Sequence, residues 1–310
     1  MLILGEKYKF TGLEMKILES RFSNLQTILY KDRQVTEVIS EIETVCATEK
    51  FTLILLNTKA KVDDKLISFL TNIRYKHKNI KLISIENFLE KYLQKCYIPE
   101  DNSDLHYLDD IQGYSKFQYF QKRIIDFFGI FWLFLFSFPV LLKSRKKIIQ
   151  ESPKGDIFFK QKRVGFQNRE FECIKFRSMK VDAEKDGIKF ASKNDNRVFP
   201  WGEHMRKRRY DELPQMWNIL KGEMHLIGPR PERKYWIDIF EKEIPYYNER
   251  HLVATGVTGW AQVNYPYGEN KEDAKQKLMY DLYYIKYWSL WLEIKIVWKT
   301  AMVVLHKKGV

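Results

Sequence analysis

The stretch Arg208–Pro231 reads RRYDELPQMWNILKGEMHLIGPRP, and the rest of the chain is organised around the acidic pair inside it. Asp211 and Glu212 stand where a helix is expected to begin. Asp is a favoured N-cap, Pro214 is tolerated in a first helical turn, and Gln215–Leu220 suits a helix that Gly222 would stop. Free N–H groups and the macrodipole favour negative charge at that end, so the carboxylate is expected to stay ionised with room for a phosphate beside it. Arg206, Lys207, Arg208 and Arg209 precede the pair, and Arg230 follows in the turn Gly228-Pro229-Arg230-Pro231. A lone Asp-Glu pair is usually a cap beside a solvated basic face. Cations converging on one point instead to phosphoryl chemistry, with a carboxylate as nucleophile and cations on the phosphate oxygens.

Composition narrows the partners. The chain has 310 residues, 53 Lys plus Arg against 40 Asp plus Glu, and a net charge of +13. That length accommodates two modest domains, and that charge favours an anionic partner: nucleic acid, acidic lipid or a phosphorylated substrate. Cys46, Cys96 and Cys173 are odd in number and widely spaced. They form neither a disulfide framework nor a zinc motif, which suits a reducing cytosolic setting. The apolar part of the opening MLILGEKYKF is too short for a signal peptide, so secretion is not expected.

Residues 1–110 alternate short apolar runs with helical patterns, the signature of a small parallel sheet. Strands are expected at Leu2–Leu4, Leu25–Tyr30, Phe51–Leu56 and Ile80–Ile85. No glycine-rich phosphate loop follows any of them, so no nucleotide is assigned to this part. Pro99–Gln112 is polar and acidic, as a linker would be.

From Phe127 to Leu142 the chain reads FFGIFWLFLFSFPVLL without a charge. A straight bilayer crossing takes about 20 apolar residues, more than this run supplies. Pro139 lacks an N–H and is expected to break or kink the helix late in the run. Lys122 and Arg123 flank it on one side, and Lys143, Arg145, Lys146 and Lys147 on the other, which places both ends on the cytoplasmic side. A helix that enters, bends at Ser137–Pro139 and returns satisfies length, proline and charge together. A buried core helix and a single span are the alternatives. Ile157–Met179 reads as a hairpin that carries Lys175 and Arg177 towards the acidic pair. At Ser289–Leu305, Trp and aliphatic residues hold one face and Lys295 and Lys299 another, as on a helix lying in the bilayer interface. A core stripe is the plainer reading of the same pattern.

Six segments, in order, carry a resemblance: KRIIDFFG from Lys122, FFKQKRVG from Phe158, IKFRSM from Ile174, DELPQMWNILKGEMHLIGPRPE from Asp211, GVTGWAQVNYPYG from Gly256 and YDLYYIKYWSL from Tyr280. From about Phe117 to the C-terminus the chain resembles the bacterial sugar transferases, monotopic polyprenyl-phosphate phosphoglycosyl transferases. The resemblance implies an α/β N-terminal domain, a shortened Rossmann-like unit, over 1–110. A linker and re-entrant membrane helix over 111–147 and an α+β catalytic domain with interfacial amphipathic helices over 148–310 would follow. It further implies transfer of a sugar 1-phosphate from a UDP-sugar to undecaprenyl phosphate, through a phosphosugar bound to Asp211, at the cytoplasmic face of the inner membrane. Glu212 would hold Mg²⁺, while Arg206, Arg230, Lys175 and Arg177 would bind phosphate. Gly256–Val263, with Thr258, Trp260 and Gln262, would shape the uridine or sugar pocket, a structural turn being the alternative. Anionic lipids are expected partners, nucleic acid is not, and a homodimer is left open. A non-catalytic membrane scaffold and a basic nucleic-acid-binding protein are the rival readings from other classes.

Overall fold

The computed structural model describes every residue except 30–32, 59–61, 77–78, 101–109, 182, 184–194, 267, 269 and 306–310. Most of the expected linker, most of the polar stretch Val181–Arg197, and Lys307 and Lys308 therefore lie outside the described residues. The chain forms two compact units, Met1–Tyr97 and Ile98–Val310.

The first unit is a four-stranded sheet: β1 (Leu2–Leu4), β2 (Gln26–Ile28), β3 (Leu53–Leu56) and β4 (Lys81–Ser84). All its pairings are parallel and the strand order is β2-β1-β3-β4. Helices α1 (Gly12–Arg21), α2 (Val35–Thr48) and α3 (Asp64–Lys76) connect the strands. The uncharged runs at β1 and β3 are buried, as strands covered on both faces must be. Leu2, Leu4, Ile28 and Ile54 of the sheet pack with Val38, Ile42, Leu66 and Leu70 of the helices. After β4 a short α-turn, α4 (Ile85–Phe88), runs into a π-turn at Leu89–Leu93.

The second unit begins with the long helix α5 (Lys116–Glu151), started by a capping box between Ser115 and Gln118. Its 36 residues correspond to about 54 Å of helix. The buried residues Lys122, Asp126, Ile130, Ser137, Ser144 and Ile148 fall at helical spacing along one stripe. Ile130 packs with Met216, Ile219 and Met224, and Ile148 with Phe176, Phe199 and Met205. The remaining face is apolar and exposed, including Phe127, Phe128, Phe131, Trp132, Leu135, Phe136 and Phe138.

The helix is continuous through Pro139, so a bend at Ser137–Pro139 lies within it. The proline removes one main-chain hydrogen bond, and packing of Ser137, Ser144 and Ile148 holds the helix on either side of that gap. Lys122 and Arg123 are not free flanking charges. Lys122 is fully buried and bonded to Glu293, and Arg123 donates to the Ile219 carbonyl at 2.9 Å.

Strands β5 (Phe158–Val164) and β6 (Glu170–Phe176) form the expected antiparallel hairpin. After α6 (Pro200–Arg208), a 3₁₀ segment over Tyr210–Gln215 leads into α7 (Met216–Lys221), which Gly222 ends at φ 81°. Then follow β7 (His225–Ile227), α8 (Lys234–Glu243), a 3₁₀ segment Tyr247–Leu252, β8 (Gly256–Thr258) and the helices α9 (Trp260–Asn264), α10 (Lys271–Lys286) and α11 (Leu290–Leu305). β7 and β8 are parallel neighbours. They run so close that a Cβ on Gly256 would lie 2.0 Å from the Gly228 nitrogen, which only glycine permits. On α11, Trp291, Ile294, Val297, Trp298 and Met302 are exposed. Lys295 and Lys299 turn inward over the Trp260 ring, at 5.0 and 4.8 Å from its centroid. The free face is thus apolar, and the lysines read from the sequence on another face lie over an aromatic ring.

Candidate functional site

Asp211 and Glu212 occupy the first turn of the 3₁₀ segment, not the cap of an α-helix. Arg209 ends α6 in the left-handed region at φ 57°, ψ 24°, and the chain turns there into the 3₁₀ segment. Pro214 inside it and Met216 after it delay the α-helix by one turn. Asn218, fully buried, then fastens α7 to the hairpin. Its Oδ1 accepts from Ile174 N at 3.0 Å, and its Nδ2 donates to Glu172 O at 2.7 Å. That side chain borrows the strand's own hydrogen-bonding groups, which brings the acidic turn against β6 and its Lys175.

Glu212 is buried among cations. Lys175 Nζ donates to Oε1 at 2.8 Å and Arg230 Nη2 to the same oxygen at 3.1 Å, while Arg209 Nη1 stands 3.5 Å from Oε2. Burial works against its charge, yet Lys175, Arg230 and Arg209 hold the carboxyl well below the usual range. Glu212 in turn raises Arg230 further. Asp211 behaves oppositely. Burial and the neighbouring Glu212 charge push its carboxyl up, opposed by Lys175, Arg206 and Arg209. Two adjacent carboxylates therefore differ in kind: one neutralised by partners, one left more basic.

A cleft beside Glu212 is lined by Arg163, Cys173, Lys175, Gln215, Arg230 and Gly256, among others. Burial pushes the Cys173 thiol up, so it stays protonated at neutral pH. The structure thus brings together Asp211, Glu212, Arg230 and Lys175, with Arg206 acting on Asp211 through its charge. Lys207 and Arg208, equally basic in sequence, pair within α6 with Glu203 and His204.

Arg177 does not join this group. Its guanidinium donates to Ser152 Oγ at 2.6 Å, Asp156 O at 2.6 Å and Ser152 O at 2.7 Å, locking the loop after α5. On a strand, Lys175 and Arg177 share a face, but β6 ends at Phe176 and the direction is lost. Thr258 and Trp260 pack on α11, Thr258 through a 2.7 Å bond to Thr300 Oγ1. Gln262 donates back to Val257 O at 3.0 Å. Arg163 was not singled out from the sequence. It is the one basic position of FFKQKRVG that turns to the cleft, whereas Lys160 and Lys162 are exposed with Glu172 and Glu170. The alternation of a strand is the signal that separates them.

Among the described residues no group of three or more His, Cys, Asp or Glu is placed to hold a metal ion. One buried and one half-buried carboxylate suit a Mg²⁺ that takes its other ligands from phosphate and water rather than a protein cage.

A family model described as bacterial sugar transferase matches residues 117–307. The chain is 46% identical over 191 residues to a UDP-N-acetylgalactosamine-undecaprenyl-phosphate N-acetylgalactosaminephosphotransferase of Aeromonas hydrophila, covering 61% of this chain and 45% of that one. It is 44% identical over 173 residues to a UDP-glucose:undecaprenyl-phosphate glucose-1-phosphate transferase of Xanthomonas campestris pv. campestris, covering 55% of this chain and 36% of that one. A protein of the same description from Caulobacter vibrioides is 36% identical over 183 residues, covering 58% of this chain and 68% of the relative. The match thus spans less than half the length of the first two. It begins one residue after the start of α5, contains Asp211, Glu212, Arg230 and Lys175, and lies wholly within the second unit. The chain belongs to the bacterial sugar transferase family.

Proposed function

We propose that this protein transfers a sugar 1-phosphate from a UDP-sugar to undecaprenyl phosphate, releasing UMP, with Asp211 as a covalent nucleophile. The observation that carries the reading is the split between the two carboxylates. Glu212 is bonded to Lys175 and Arg230, while Asp211 is made more basic beside it. The relatives' descriptions supply the substrate class: two name undecaprenyl phosphate with UDP-glucose and one with UDP-N-acetylgalactosamine.

In the first step an Asp211 oxygen attacks the phosphorus that bears the sugar. A phosphorus–oxygen bond to the carboxylate forms and the diphosphate bond breaks, so UMP leaves with the bridging oxygen and its electron pair. In the second, an oxygen of undecaprenyl phosphate attacks the same phosphorus and frees Asp211, giving a polyprenyl diphosphate sugar. Two half-reactions let a soluble and a lipid substrate use one site in turn. Arg230 and Lys175 offset the charge of the phosphoryl oxygens, with Arg206 beside Asp211, and Arg230 brings a fork that suits phosphate. Mg²⁺, if bound, supplies Lewis-acid charge to the diphosphate, and Glu212, with Asp211 beside it, is the residue to hold it.

The anchoring of α5 supports membrane residence on one side. Lys122 near its start and Ile148 near its end both pack within the second unit, while the apolar face between them is free for lipid. A folded unit that holds both ends favours keeping them on one side, and the flanking Lys143, Arg145, Lys146 and Lys147 favour the cytoplasmic one.

The test is UMP release from membranes containing the protein, given a panel of UDP-sugars and undecaprenyl phosphate. Asp211→Asn is expected near background. Without lipid acceptor, mass spectrometry of the wild type should find a phosphosugar on the peptide containing Asp211. Turnover of Asp211→Asn within tenfold of wild type would refute the nucleophile.

A further inference from the structure

The turn that presents Arg230 is held by its carbonyl groups. Pro229 and Pro231 have no N–H to give, so the turn's acceptors are met from outside. Pro229 O accepts from Gly256 N at 2.8 Å, Arg230 O from Arg250 Nη2 at 2.9 Å, Pro231 O from Arg163 Nη1 at 3.3 Å and Glu232 O from Val164 N at 2.9 Å. Four consecutive carbonyls are thus gripped by three separate segments of the chain.

Of these donors, Arg250 is the one that must be explained. It is 5% exposed and lies in the 3₁₀ segment Tyr247–Leu252. The same Nη2 also donates to Asp281 Oδ2 at 2.9 Å, and Nη1 donates to the Tyr247 hydroxyl at 2.9 Å. Asp281 is itself 2% exposed, on α10. A buried ion pair of this kind adds little net stability over apolar packing, so its place in the fold calls for another reason. That place is the back of the residue whose side chain touches Glu212.

We infer that Arg250 and Asp281 are positioning residues, which fix the backbone of Arg230 so that its guanidinium stands ready for a phosphate at the Glu212 cleft. The inference rests on the proposed transferase reading for the identity of that phosphate, and on the geometry alone for the positioning. Asp281 orients the guanidinium, Tyr247 holds its second nitrogen, and Arg250 fixes the Arg230 carbonyl. Arg230 is then aimed without having to order a flexible turn on binding, and pre-organisation of this kind is worth affinity.

A double-mutant cycle on the full chain in detergent tests it, with uridine diphosphate as the binding probe and UMP release measured alongside. The four proteins are wild type, Arg250→Gln, Arg230→Ala and the double variant. Arg250→Gln is expected to weaken uridine diphosphate binding roughly tenfold when Arg230 is present, and less than about twofold when residue 230 is Ala, since coupled residues are not additive. Equal losses in both backgrounds would overturn the inference, because a residue that merely supports the fold acts independently of Arg230. Asp281→Asn and Tyr247→Phe run through the same cycle if Arg250→Gln does not fold, with the same expected pattern. A wild type that binds no uridine diphosphate would overturn the transferase reading, and the same cycle run with inorganic pyrophosphate as the probe would then decide the positioning, equal losses again overturning it. Intact coupling without UMP release from any UDP-sugar would remove the transferase reading and leave the positioning supported.

Discussion

Lys122 and Glu293 form a buried ion pair, with Lys122 Nζ 2.9 Å from each carboxylate oxygen. The pair joins the second turn of α5 to the first turn of α11, the two helices that expose apolar faces. Lys122 also donates to Ile227 O at 2.7 Å, immediately before the turn that carries Arg230, and Trp288 Nε1 donates to Glu293 at 2.9 Å. Lys122→Met or Glu293→Gln leaves one buried charge without its partner, a loss of about 3–5 kcal/mol. Denaturation in detergent followed by tryptophan fluorescence should show it. The double variant Lys122→Met/Glu293→Met should recover more than half of that loss. A double variant no more stable than the weaker single one would mean that the pair is not an isolated unit.

The two carboxylates predict a pH signature. Asp211 must be ionised to attack, and its carboxyl is raised by burial and by Glu212. The acidic limb of kcat/KM should therefore lie above the pH at which an ordinary aspartate ionises. Glu212→Gln removes one of the two raising influences, so in its residual activity the limb should move to lower pH. A limb that stays in place would show that the two groups are not coupled.

Arg177 offers a contrast with Arg230. Its bonds to Ser152 and Asp156 predict that Arg177→Met costs on the order of 1.5–3 kcal/mol in stability, as loss of hydrogen bonds to a charged group does. The folded fraction should keep its kcat/KM. Arg230→Lys should do the reverse, retaining stability and losing roughly tenfold or more in kcat/KM, because a lysine cannot reproduce the fork. An Arg177 variant that folds fully and loses activity would place that residue in the site after all.

Cysteines engineered at the exposed positions Lys116 and Lys146, at opposite ends of α5, should both react with an impermeant reagent from the cytoplasmic side only. Pro139→Leu restores a main-chain bond to the carbonyl of Leu135. Same-side labelling should survive it, because Lys122 and Ile148 anchor the two ends of the helix. Labelling of the two sites from opposite sides in the wild type would refute one-sided residence.

The sequence by itself determined the local elements and the chemistry of the acidic turn. Short apolar runs between helical patterns gave the parallel strands, β1 and β3 most clearly, because a strand covered on both faces can hold no charge. The alternation through Phe171, Cys173 and Lys175 gave the hairpin, and Gly222 gave the stop of α7. Asp211, Glu212, Arg230 and Lys175 were visible because phosphoryl chemistry needs cations around a carboxylate, and those residue types are concentrated in long motifs.

Tertiary structure alone decided which cations face the carboxylates and which face elsewhere. Lys175 and Arg177 are two residues apart on one sequence pattern, yet one meets Glu212 and the other locks Ser152. Lys122 reads as a free charge beside an apolar run, and becomes the buried partner of Glu293, 171 residues away. Lys295 and Lys299 read as a face apart from the Trp stripe, and lie over Trp260. In each case the partner comes from a distant segment, and a periodic pattern records only which residues share a face of their own element. The grip on the Arg230 turn was beyond reach for the same reason: Arg250, Arg163 and Gly256 are brought to three successive carbonyls by the packing of elements that the chain visits far apart.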